Sequence, residues 1–139
     1  MAKNNEQALA ILAELVAFNS VSRNSNLPII DYIENKLAPL GIACTRVPSP
    51  DGNKANLIAR IGPDAPGGMV WSGHTDVVPV DGQAWDTDPF TLTRKDDTLF
   101  GRGTSDMKSF IALALAHVDA AQAAALQGRH CAISSCRAG

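Results

Sequence analysis

The sequence predicts an α/β fold, an incomplete three-layer αβα domain. Three observations carry that expectation. Helical and strand-like patterns alternate along the 139 residues with no linker long enough to split domains. The apolar run from Gly68 to Gly73 reads as a buried strand that delivers His74 at its carboxyl end, where α/β sheets place ligand sites. A long stretch rich in Ala and Leu after Ser105 reads as a helix that begins beside Asp106.

The elements follow in order. From Asn5 to Phe18, Ala8, Leu9, Ile11, Leu12, Leu15, Val16 and Phe18 recur at helical spacing, a stripe most simply read as core. Asn19 to Asn26 is polar and turn-rich, and Pro28 to Leu40 reads as a second helix closed by Gly41. Ile42 to Val47 is a strand candidate, followed by a Pro-Ser-Pro-Asp-Gly turn over Pro48 to Gly52. Ala55 to Ile61 and Met69 to Gly73 are further strands, separated by the Gly- and Pro-rich segment Gly62 to Gly68. Phe90 to Arg94 and Thr98 to Phe100 read as a hairpin turning at Lys95-Asp96-Asp97. The last helix spans Ser105 to Ala125.

Two short motifs carry chemistry. Ser72-Gly73-His74-Thr75-Asp76-Val77-Val78-Pro79 ends a strand, and Gly101-Arg102-Gly103-Thr104-Ser105-Asp106-Met107-Lys108 opens a helix. Each has an ordinary reading by itself. Asp76 can cap a loop, and Asp106 can be a first-turn acid favoured by the helix dipole and N-cap chemistry. Together they offer an imidazole and a carboxylate at the ends of neighbouring elements, which is half of a two-metal hydrolytic site.

With Trp85 and Asp88-Pro89-Phe90 between the two motifs, the chain resembles the amino-terminal part of the M20 metallopeptidase and deacylase family, from about Glu6 to Ala120. The resemblance implies a zinc-peptidase type of catalytic domain, with residues 1–125 supplying its amino-terminal part and the lid or dimerisation domain absent. It implies His74 as a ligand to one metal, Asp106 as the carboxylate bridging two metals, and Asp76 as the catalytic-site carboxylate that accepts the other imidazole N–H. It also implies a cis peptide between Asp106 and Met107. Zn2+ or Co2+ suits such nitrogen and oxygen donors. The implied reaction is hydrolysis of the acetyl amide of a small N-acetyl amino acid. The motifs are most similar to members that release ornithine and acetate in arginine synthesis. A related deacylase, acting on succinyl-diaminopimelate or another acyl amino acid, is the alternative, and a non-catalytic fragment or binding domain is the other. The family implies a homodimer.

The departures from the family are concentrated at the end. An acidic pair, the general base and a further ligand, is expected in the window that here reads Ile133-Ser134-Ser135-Cys136-Arg137-Ala138-Gly139, and no Asp or Glu follows Asp119. Residues 126–139 therefore read as an aberrant tail from a frameshifted or prematurely ended reading frame, expected to pack poorly because its polar pattern does not suit a central strand. A metal knuckle from His130, Cys131 and Cys136 has the wrong spacing for zinc patterns. With only two ligands and no general base, weak metal binding and no turnover are expected of the 139 residues alone.

The remaining residues bound the function class. A net charge of −2 gives no basic footprint for nucleic acid. No apolar run is long enough to span a bilayer, and the start lacks a signal-peptide core, so a cytoplasmic protein without membrane contact is expected. Three cysteines do not suggest a disulfide framework. Arg102 and Lys108 are candidates to meet a substrate carboxylate or to brace loops; Trp85 and Phe90 to shape a pocket rim or to pack; His117 to be structural or exposed.

Overall fold

The structure, a computed structural model, describes residues 2–63, 68–123 and 130–136, with side chains described for 4–63 and 68–122. Helices α1 (Ala2–Ala17) and α2 (Leu27–Leu37) precede the strands β1 (Ala43–Pro48), β2 (Ala55–Ile61) and β3 (Gly68–His74). A short hairpin, β4 (Thr93–Lys95) and β5 (Thr98–Phe100), leads to α3 (Lys108–Ala116), α4 (Val118–Ala123) and β6 (His130–Cys136).

The main sheet has the order β1-β2-β6-β3. β1 and β6 both run antiparallel to β2, whereas β3 and β6 are parallel. β2 follows the period of a half-buried strand: Ala55, Leu57, Ala59 and Ile61 are buried while Asn56, Ile58 and Arg60 are not. Leu57, Ala59 and Ile61 join one core with Ile11, Leu12 and Leu15 of α1, Ile29, Ile30 and Ile33 of α2, and Ile111 and Leu115 of α3. The described helices thus cover one face of the sheet, and the opposite helical layer of the expected three-layer domain is not among the described residues.

Three expectations shift. The second helix was expected to run unbroken to Leu40, but it ends as α-helix at Leu37 and continues as a 3-10 turn, Ala38–Leu40, closed by Gly41 at φ +69°. Pro39 explains this, because its ring cannot sit in the interior of an α-helix. The last helix was expected to begin at Ser105 and run on unbroken. Residues 101–107 are instead a chain of turns, and α3 and α4 are separate around His117. There the imidazole Nδ1 lies 2.8 Å from the Leu113 carbonyl, the acceptor its own helix turn uses, so His117 has a structural role. β3, expected to be a buried strand, lies at the sheet edge among the described residues, with Met69 and Val70 more than half exposed.

The tail requires the largest correction. Segment 130–136 was expected not to form an interior strand, yet its backbone pairs on both sides, Ala59 and Trp71 both standing opposite Ile133. Ladder hydrogen bonds come from backbone groups, which every non-proline residue supplies, and His130–Cys136 contains no proline. The side-chain pattern that argued against a strand bears on packing, not on ladder formation. The side chains of His130, Cys131 and Cys136, and residues 124–129 and 137–139, lie outside the described residues.

Candidate metal centre

The site forms where two loops meet at the carboxyl end of β3. The first leaves β3 at His74 and is held by the turn after α1. Ser20 Oγ donates to the Thr75 carbonyl at 2.7 Å, Val77 N donates to Ser20 O at 3.0 Å, and Ser22 N donates to Val77 O at 2.9 Å. Val21 and Val77 thereby form an isolated parallel bridge. The second loop, Gly101 to Met107, is pinned by Arg102 N donating to Pro89 O at 2.6 Å and Lys108 N donating to Gly103 O at 2.8 Å.

Gly103 is required at the crossing of these loops. Its φ is +90°, and a Cβ there would stand 2.9 Å from Val77 Cγ1 and 3.0 Å from Lys108 Cδ. The Asp106–Met107 peptide bond is cis, as the family resemblance implied.

His74 and Asp106 converge. His74 Nε2 lies 2.9 Å from Asp106 Oδ1, and Nδ1 on the far side of the ring lies 2.9 Å from the Asp76 carbonyl oxygen. The Asp76 carboxylate faces Nδ1 as well, its Oδ1 at 3.4 Å. Among hydrogen-bond partners, then, the main chain of Asp76 holds the ring first and its carboxylate stands behind. That Oδ1 is buried without a hydrogen-bond partner. Burial lowers the His74 pKa, but the Asp76 carbonyl and the Asp106 carboxylate more than offset it, leaving it raised.

The donor set fits a cation. Both ring nitrogens face oxygens that only accept hydrogen bonds, while a neutral imidazole has one N–H to give. With that proton on Nδ1 toward Asp76, Nε2 presents a lone pair to a carboxylate oxygen. Such a pair of donors is compatible only with a positive charge between them, a proton or a metal ion. Asp106 is open to solvent, its side chain 81% exposed, and the pair borders a cavity of ≈ 470 Å³. Ser22, Arg102 and Thr104 also line it. Among the described residues no cluster of three or more His, Cys, Asp or Glu side chains is arranged to hold a metal.

The remaining candidates separate clearly. Lys108 is fully buried and donates from Nζ to the Phe18 carbonyl at 2.8 Å, so it braces and does not reach the cavity. Burial pushes its pKa down to about 8. The Arg102 guanidinium lies over the Trp85 ring at 5.1 Å and donates to Gln83 Oε1, which also accepts from Trp85 Nε1 at 3.2 Å. Phe90 is half-buried in a turn whose amide donates to Asp88 Oδ1 at 2.8 Å. Sequence reasoning missed Ser20 and Asn26, both buried in the segment read as a polar turn. Their only sequence signal is small polar residues flanking two helices.

The pattern of the peptidase family M20/M25/M40 matches residues 70–133, from within β3 to within β6. An acetylornithine deacetylase of Pectobacterium carotovorum is 41% identical over 110 residues, covering 78% of this chain and 28% of that protein. One from Proteus mirabilis is 39% identical over 124 residues, covering 82% of this chain and 32% of that protein. The chain belongs to the M20 family. Human carnosine dipeptidase 1 superposes with a TM-score of 0.75 at 26% identity, covering 98% of this chain and 32% of that one. An M20 family metallo-carboxypeptidase from Sulfolobus solfataricus shares the fold, with a TM-score of 0.78 at 21% identity over 94% of this chain and 30% of that one. The chain therefore spans roughly the first third or less of the length of these relatives. Among the described residues no helix is long and apolar enough to cross a membrane.

Proposed function

We propose that this chain supplies the His74–Asp106 arm of a two-metal amide hydrolase acting on a small N-acyl amino acid, with acetylornithine as the leading substrate. The observation that carries the proposal is the convergence of His74 Nε2 and Asp106 Oδ1 at 2.9 Å with Asp76 on the opposite ring nitrogen. Similarity to deacetylases that bear acetylornithine in their names supports the substrate. The proposed setting is cytoplasmic and homodimeric, without nucleic acid or membrane partners.

The geometry supports the following roles for this chain's residues. Asp76 keeps the imidazole proton on Nδ1, which aims the Nε2 lone pair into the cavity. Asp106 has one oxygen toward His74 and, being exposed, its other oxygen free to serve a second cation. Zn2+ or Co2+, when bound, supplies polarisation of the scissile carbonyl and acidification of water. No residue after Asp119 in this sequence is acidic, so the proton-accepting carboxylate of the reaction is not in that segment.

The test is cobalt or zinc titration of the 139-residue chain and of His74→Ala, with ornithine release from acetylornithine measured in parallel. Weak metal binding lost in His74→Ala, with no turnover by either, is the expected result. Metal binding indifferent to His74→Ala would refute the assignment. Turnover by the chain that disappears in the variant would show that a base comes from residues other than those assigned here.

A further inference from the structure

The two loops that carry His74 and Asp106 are far apart in sequence, yet both are tied to the same turn. The His74 loop is held by Ser20 through Thr75 and Val77. The Asp106 loop is held by Lys108, whose Nζ donates to Phe18 O at 2.8 Å. Phe18 immediately follows the last residue of α1, so its carbonyl lies at the negative end of the helix dipole. That carbonyl also accepts from Ser20 N at 2.8 Å, so one oxygen joins both tethers.

We propose that Lys108 is a positioning residue, its buried ammonium fixing the Asp106 loop to the turn after α1 so that Asp106 stays in register with His74. This rests on reading His74 and Asp106 as the metal-holding pair. A lysine with no exposed surface and a single described hydrogen-bond partner is a costly way to fill space, since an apolar chain of the same length would pack without desolvating a charge. What the ammonium adds is a directed bond across ninety residues of sequence. The aliphatic stem adds a second constraint, because it packs against Gly103, where even a Cβ would meet it at 3.0 Å. The loop is thus gripped at Gly103 by the stem and tied to the turn after α1 by the head.

The test compares the full chain with Lys108→Met, which keeps the stem and removes the donor, and with Lys108→Gln, which keeps a shorter donor. Amide exchange is read without metal at Arg102, Thr104 and Lys108, each bonded within or at the loop, and at β2 as the internal reference. Cobalt affinity is read separately. Lys108→Met should speed loop exchange by about tenfold or more while β2 is unchanged, and should weaken cobalt binding roughly 10–100-fold, the range for residues that orient a ligand. Lys108→Gln should fall between. Unchanged loop exchange in a folded variant overturns the proposal. So does equal acceleration in β2, or failure of both variants to fold, either of which makes Lys108 a residue of global stability. If the unaltered chain takes up no cobalt, the metal reading fails and the exchange comparison still decides the anchor.

Discussion

Replacing Gly103 by Ala probes the crossing point of the two site loops, and Gly82→Ala provides its control. Both glycines have positive φ, +90° and +71°. A Cβ at Gly82 would meet nothing within 4 Å, so Gly82→Ala reports backbone strain alone, about 1–2 kcal/mol. A Cβ at Gly103 would carry that strain and also press on Val77 Cγ1 at 2.9 Å and Lys108 Cδ at 3.0 Å. Neither neighbour has room to withdraw, since Val77 is 3% exposed and Lys108 0%. Overpacking of this kind costs about 1–3 kcal/mol more. The entropy lost from the unfolded chain favours both variants equally and cancels in the comparison. At about 4 °C per kcal/mol for a domain of this size, Gly82→Ala should lower Tm by roughly 4–8 °C and Gly103→Ala by roughly 8–20 °C. Thermal unfolding followed by circular dichroism measures both. Equal shifts would refute the close packing of the loops and leave only the backbone argument standing.

Three further outcomes are expected. Asn26 pairs with both backbone groups of Ala55, donating to its carbonyl and accepting from its amide at 2.9 Å, so Asn26→Ala should destabilise by about 2–4 kcal/mol in denaturant unfolding; a loss below about 0.5 kcal/mol would mean that water replaces it. Donation from the Ser49 hydroxyl, and then from the Asn53 backbone and side-chain amides, pulls the Asp51 pKa down to about 2. Its contribution to stability is therefore present above the unfolded-state value near 4 and lost as pH falls toward 2, and the gap between the protein and Asp51→Asn should close over that window; a gap independent of pH contradicts it. The amides of β6 that bond to its neighbours should exchange as slowly as those of β2, because β6 is paired on both sides, and fast exchange there with β2 protected would remove it from the sheet.

Much of the fold was legible because hydrophobic period is local. β2 was bounded correctly as Ala55–Ile61, since turn-forming segments flank it on both sides; its alternating burial is seen only in the structure. α1 was recognised from its stripe, although it begins at Ala2 and not at Asn5, because the first helical turn needs no apolar residue. The site was legible in its residues but not in its bonding. His74, Asp76 and Asp106 stand out as residue types at element ends. That the Asp76 carbonyl is nearer the ring than its carboxylate depends on how the loop after β3 curls.

The sequence by itself determined the alternation of elements, the bounds of β2 and the pair of motifs that bear the candidate ligands, because each is set by side-chain type at short range. Only the tertiary structure decided that segment 130–136 joins the sheet interior, since ladder bonds depend on which backbones lie alongside rather than on side-chain polarity. It also decided what Lys108 does. A lysine in sequence is a solvated charge by default, and burial against the end of a helix ninety residues earlier makes it a tether, because a desolvated ammonium must find an oxygen and Phe18 supplies it.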